Sequence, residues 1–94
     1  MAEQRDEQER LELLEFPCEF PLKVFGHNHD EFEDLVLELL RRHCPLDTQF
    51  RVSRNQSRKG KYQSLTIRFT AYSRTQLDDI YQSLTDSEHV VMSL

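Results

Sequence analysis

Three groups of residues have the types and spacing to do chemistry. The first is the run Gly26-His27-Asn28-His29, just ahead of a strongly periodic apolar segment. Backbone N–H groups at a helix start favour an anion, so Gly26, His27 and Asn28 are expected to hold a small carboxylate ligand. The second is a basic stretch in which Arg51, Arg54, Arg58, Lys59 and Lys61 occur without one acid. Arg54, Arg58, Lys59 and Lys61, with Tyr62 available for stacking, could grip an acidic protein surface or phosphates. The third is the set His27, His29, His43, His89, Cys18 and Cys44. Their spacing is not that of a structural zinc site, so no metal is expected.

Each group has a plainer reading. The Gly26 turn could simply cap a helix. The basic stretch could be a solvated hairpin that resists aggregation. His43 and Cys44 sit where a helix ends before Pro45, and such residues are routine there. Gly-x-Ser-x-Gly, a phosphate loop and paired catalytic carboxylates do not occur in the sequence. Asp78-Asp79 and Glu31, Glu33 and Asp34 read as solvated helix faces. The expectation is a binding protein without catalysis and without a cofactor.

The 94 residues fit one domain, and their formal net charge of -5 argues against general attraction to nucleic acid or anionic lipid. No apolar run reaches membrane-spanning length. Cys18 and Cys44 form no CxxC pair and are read as reduced thiols in a cytoplasmic protein, a disulfide between them being the alternative. Residues 1–15 read as an acidic leader, flexible or partly helical, in which Leu11, Leu13 and Leu14, followed by Phe16, could dock on the domain. Residues 16–94 form the domain.

These groups must be positioned by elements that the periodicity reveals. Cys18, Phe20, Leu22 and Val24 alternate with Glu19, Pro21, Lys23 and Phe25, the pattern of a half-buried strand that Gly26 ends. Pro21 cannot donate to a ladder, which predicts an edge or entry point. In Asp30 to His43, the residues Phe32, Leu35, Val36, Leu39, Leu40 and His43 make one helical stripe. Asn28 with Glu31, or Asp30 with Glu33, would cap it. Gln49–Gln56 and Tyr62–Tyr72 alternate as two strands of a hairpin, with Phe50, Val52, Leu65, Ile67, Phe69 and Ala71 inward. Ser73 and Gln76 form a capping box before the stripe Leu77, Ile80, Tyr81 and Leu84. A final strand, Val90 to Leu94, should turn Val90, Met92 and Leu94 to the core. The order βαββαβ predicts an α+β, ferredoxin-like fold: a four-stranded antiparallel sheet with two helices on one face.

The run Leu13-Leu14-Glu15-Phe16-Pro17, then Phe20 and Lys23-Val24-Phe25-Gly26, resembles the opening of the YbeD-like small bacterial proteins. Ser57-Arg58-Lys59-Gly60-Lys61-Tyr62-Gln63-Ser64 resembles that family's Ser-x-Lys-Gly-x-Tyr-x-Ser segment. The resemblance covers roughly residues 11–94 and implies a fold similar to the ACT regulatory domains. It implies no particular activity. Members are often encoded near lipoate-attachment genes, an associational link to lipoate metabolism. ACT-type domains hold small ligands near the first strand–helix turn, which by analogy implies the Gly26 turn. Acylphosphatases share the topology but need an arginine in that turn, and here there is none.

The function expected is a small regulatory or adaptor module binding a protein partner or a small carboxylate, compatible with a homodimer. The alternative is a nucleic-acid-binding domain using the hairpin 51–62. Sheet-face RNA readers carry Lys/Arg-Gly-aromatic-Gly-aromatic on the third strand. Here Lys59-Gly60 is followed by Lys61, Tyr62 and Gln63, which puts the aromatic out of register and counts against it.

Overall fold

The structure, a computed structural model, describes residues 14–56 and 60–94. The leader up to residue 13, with Leu11 and Leu13, and Arg58 and Lys59 of the hairpin lie outside the described residues. The elements are β1 (Cys18–His27), α1 (Phe32–Arg41), β2 (Arg51–Gln56), β3 (Tyr62–Ala71), α2 (Arg74–Asp86) and β4 (Val90–Ser93). The strands form one antiparallel sheet in the order β2-β3-β1-β4, with both helices over one face, which is the ferredoxin-like arrangement.

Strand alternation and two helical stripes converge on one core. Phe20, Leu22 and Val24 of β1 and Leu65, Ile67, Phe69 and Ala71 of β3 meet Phe32, Val36, Leu37 and Leu40 of α1. Leu77, Ile80 and Leu84 of α2 complete it. Burying one such side chain stabilises the fold by roughly 1.5–3 kcal/mol. Leu14 and Phe16 pack against the same core, while Glu15 between them is exposed.

Pro21 lies in a central strand, yet on its open flank. The N–H of Lys23 donates to Leu94, so the nitrogen of Pro21, two residues earlier, points the same way. The β4 pairing reaches only from Gly26 back to Lys23. A missing donor therefore costs no ladder bond there.

Four expectations need correction. The strand runs one residue past Gly26, because His27 still pairs with Tyr62. The buried stripe of α1 is turned towards Leu37, while Leu35 and Leu39 are only half-buried. Leu39 faces the end of α2, beside Ser83 and Ser87. Helix α1 also starts without a side-chain cap. Asn28 is engaged with the hairpin and Glu33 with Arg54, so neither proposed box closes. Last, Met92 and Leu94 do not face the core. A bulge sets Gly26 opposite Val90 but Phe25 opposite Met92, which reverses the alternation after Val90. Val90 packs inward, whereas Met92 is 49% exposed and Leu94, beside Lys23, is 42% exposed.

The cap of α2 follows expectation with one shift. Ser73 Oγ accepts from the Gln76 N–H at 3.0 Å. The Gln76 side chain reaches back one residue further than a standard box, accepting from the Tyr72 N–H at 2.7 Å.

Candidate functional site

The strand–helix turn and the hairpin, separate in sequence, meet at one end of the sheet. The Asn28 amide donates to the Gly60 carbonyl at 2.6 Å, and the Asn28 N–H donates to the Lys61 carbonyl at 2.9 Å. Its Oδ1 accepts from Gln56 and Gln63, each at 3.2 Å. Gln63 is buried, and its amide also reaches the carbonyl of His29 at 3.1 Å. Gly60 makes this geometry available because its φ of 73° lies in the left-handed region.

Gly26 serves close packing. A Cβ there would collide with the Phe32 ring and the His89 carbonyl. His27 stands outside the turn, its ring 5.5 Å from that of Tyr62. His29 Nδ1 accepts from the Glu31 N–H at 3.1 Å, and its ring meets His89 edge-on at 5.0 Å. Of the three residues expected to hold a ligand, Asn28 has its side chain engaged, Gly26 is filled by Phe32, and His27 faces out.

The basic stretch is split by strand alternation. Arg54 turns to the helix side and forks onto Glu33 of α1, at 2.5 Å and 2.8 Å. That hydrogen bond, then the charge of Glu33, holds the Arg54 guanidinium above its ordinary pKa. Arg51 turns to the opposite side and pairs with Glu19 at 2.6 Å. Lys61 is exposed at the hairpin end, and Tyr62 begins the outward row of β3.

The broader site is the uncovered face of the sheet. Its outward positions are Glu19, Pro21, Lys23, Phe25 and His27 on β1, and Arg51, Ser53 and Asn55 on β2. On β3 they are Tyr62, Ser64, Thr66, Arg68 and Thr70. Among these strand residues, three cations stand against one carboxylate. Acids predominate on the helices, where α1 carries Glu33, Asp34 and Glu38 and α2 carries Asp78, Asp79 and Asp86. Phe25, Met92 and Leu94, with Tyr62 across β3, make an apolar strip beside the cations.

Cys18 and Cys44 are both free. Burial pushes the Cys44 thiol pKa up, and a hydrogen bond from Gln76 partly offsets it. His43 shares a 2.8 Å hydrogen bond with Ser83 between the helices. Among the described residues, no group of three or more His, Cys, Asp or Glu is placed to hold a metal. No described helix is long and apolar enough to cross a membrane.

The outward row of β1 was legible from its alternation. Joining Lys23 to Arg51 and Arg68 depends on the strand order, which brings three distant segments side by side. The contribution of Met92 and Leu94 depends on the bulge, for which the sequence carries no signal.

A family model described as a protein of unknown function, DUF493, matches residues 11–94. A UPF0250 protein of Chromobacterium violaceum is 46% identical over 86 residues, spanning 92% of this chain and 97% of that one. A UPF0250 protein of Neisseria gonorrhoeae is 40% identical over 89 residues, spanning 95% and 98%. The solution structure of protein HP0495 from H. pylori superposes with a TM-score of 0.67 at 21% identity, covering 86% of this chain and 85% of that one. That likeness bears on the fold. The chain belongs to the DUF493, or UPF0250, family of small bacterial proteins, the YbeD-like group whose motifs its sequence carries.

Proposed function

We propose that the chain is a non-catalytic regulatory or adaptor module that docks a protein partner on the open face of its sheet. One observation carries this reading. Helices seal one face, while the other presents Phe25, Tyr62, Met92 and Leu94 beside the cations Lys23 and Arg68. An apolar strip bordered by charge is the composition of a contact surface. The charge favours a partner with an acidic rim. It disfavours a face-to-face homodimer, because an isologous contact would set a cationic face against its own copy.

A carboxylate at the Gly26 turn, including a lipoate-related acid, has less support. The Asn28 side chain and the space beside Gly26 are already occupied. Nucleic acid has less support too, since Arg54 and Arg51 of the hairpin are each paired with a carboxylate.

The test is affinity capture from the native cell, followed by binding of the purified captured protein. Phe25→Ser with Met92→Ser should weaken binding by roughly tenfold or more, the size of one lost anchor. Asp78→Ala with Asp79→Ala on α2 should leave it unchanged. Binding lost only in the α2 variant would place the contact on the helices and overturn the reading.

A further inference from the structure

We infer that the middle of the open face is a binding subsite for a small dianionic oxyanion, such as a phosphate ester or a dicarboxylate. It uses the cationic centre of the face rather than its apolar strip, and it needs no protein partner.

The observation is a shallow depression of about 350 Å³ lined by Lys23, Arg51, Val52, Ser53, Thr66 and Arg68. Three cations and two hydroxyls line it, and no carboxylate does. The residues come from three adjacent strands. Lys23 stands opposite Thr66, which stands opposite Ser53, and in the next row Arg68 stands opposite Arg51. These five side chains point to the open side, so Lys23 and the two hydroxyls form one row across the sheet and the arginine pair forms the next, with Arg68 diagonal to Lys23.

Directly opposed like charges on neighbouring strands are unfavourable. Glu19 relieves only one of the two arginines, pairing with Arg51 from outside the depression. Arg68 and Lys23 have no carboxylate partner among the described residues. An oxyanion seated between them would neutralise both. It would take the guanidinium fork of Arg68 on two oxygens and hydrogen bonds from Ser53 and Thr66. The net charge of the site calls for a dianion in preference to a monoanion. The volume suits one small molecule.

The experiment is an NMR titration of the full chain with inorganic phosphate, glycerol phosphate and succinate in separate arms. Ionic strength is held constant with sodium chloride. At least one dianion should give saturable amide shifts centred on Lys23, Ser53, Thr66 and Arg68, and the arms identify which chemistry is preferred. Arg68→Gln should weaken binding by roughly tenfold or more, the loss of a charge-assisted fork. Arg68→Lys should recover part of it, and Arg42→Gln on the helix layer should change nothing. The same spectra confirm that each variant is folded. No saturation in any arm, shifts spread equally over Arg41 and Arg42, or unchanged affinity in Arg68→Gln would overturn the inference. Tighter binding of a short single-stranded DNA than of any small dianion would overturn it as well. Because the probes are small molecules, success or failure here is separate from the fate of the docking surface.

Discussion

On the helix side of the sheet, Leu22, Val24, Leu65 and Ile67 have no accessible surface. Their immediate chain neighbours Lys23, Thr66 and Arg68 look out from the other side, with Lys23 and Arg68 exposed and Thr66 half-buried. The two faces share backbone, twist and register. They differ in their side chains and in what covers them, because the two amphipathic helices have stripes enough for one face. A small domain of this topology thus fixes its stability on one side and leaves the other free to vary its side chains. Function is best sought on the side that folding does not need.

That contrast can be broken most forcefully by substitution across the sheet and its helices. Leu40→Ala should cost about 2–5 kcal/mol, since Leu40 is fully buried between helix and sheet. Leu39→Ala, at a half-buried position of α1 beside the end of α2, should cost clearly less. Arg68→Gln on the open face should lie within about 0.5 kcal/mol of the parent. Urea denaturation of the three variants checks the order. Equal losses for Leu40→Ala and Arg68→Gln would mean that the open face also supports the fold.

A smaller effect is expected at the junction of the two regions. Gly26→Val would push a branched side chain into the Phe32 ring and the His89 carbonyl. It should cost about 1–3 kcal/mol through overpacking. If Gly26 instead served a ligand, the variant would keep its stability and lose only binding.

The smallest effect concerns pH. In the fold, burial favours the neutral Cys44 thiol. Its contribution to stability is complete below the ordinary thiol range and is lost as pH rises through the elevated folded value. Alkylation of Cys44 should therefore lag behind that of the same cysteine in urea until the solution is more alkaline. Equal rates in both states at mildly alkaline pH would contradict the burial.

Sequence patterns revealed most of this architecture and only part of the site. Period-2 alternation in Cys18–Gly26 and Tyr62–Ala71 reveals both the strands and their faces, because the inward residues Phe20, Leu22, Val24, Leu65, Ile67, Phe69 and Ala71 are apolar; the inward Gln63 breaks the pattern at the hairpin end. In α1 the pattern was ambiguous. Leu35, Val36, Leu37, Leu39 and Leu40 are apolar around most of the helix, and only the tertiary fit to α2 and the sheet selects Leu37 over Leu39. Asn28 read as a cap because its spacing to Glu31 is right. A hairpin distant in sequence competed for its amide and won. Arg51 and Arg54 read as one patch, although a three-residue spacing in a strand puts them on opposite faces. That last point was available from alternation alone.

If partners dock on the open sheet face, saturation of a bound partner must reach the outward residues of its strands. NMR cross-saturation from a captured, purified partner onto this chain tests this most directly. The strongest transfer is expected at Phe25, Tyr62, Thr66 and Met92. Transfer concentrated instead along Asp78, Asp79 and Gln82 of α2 would contradict it.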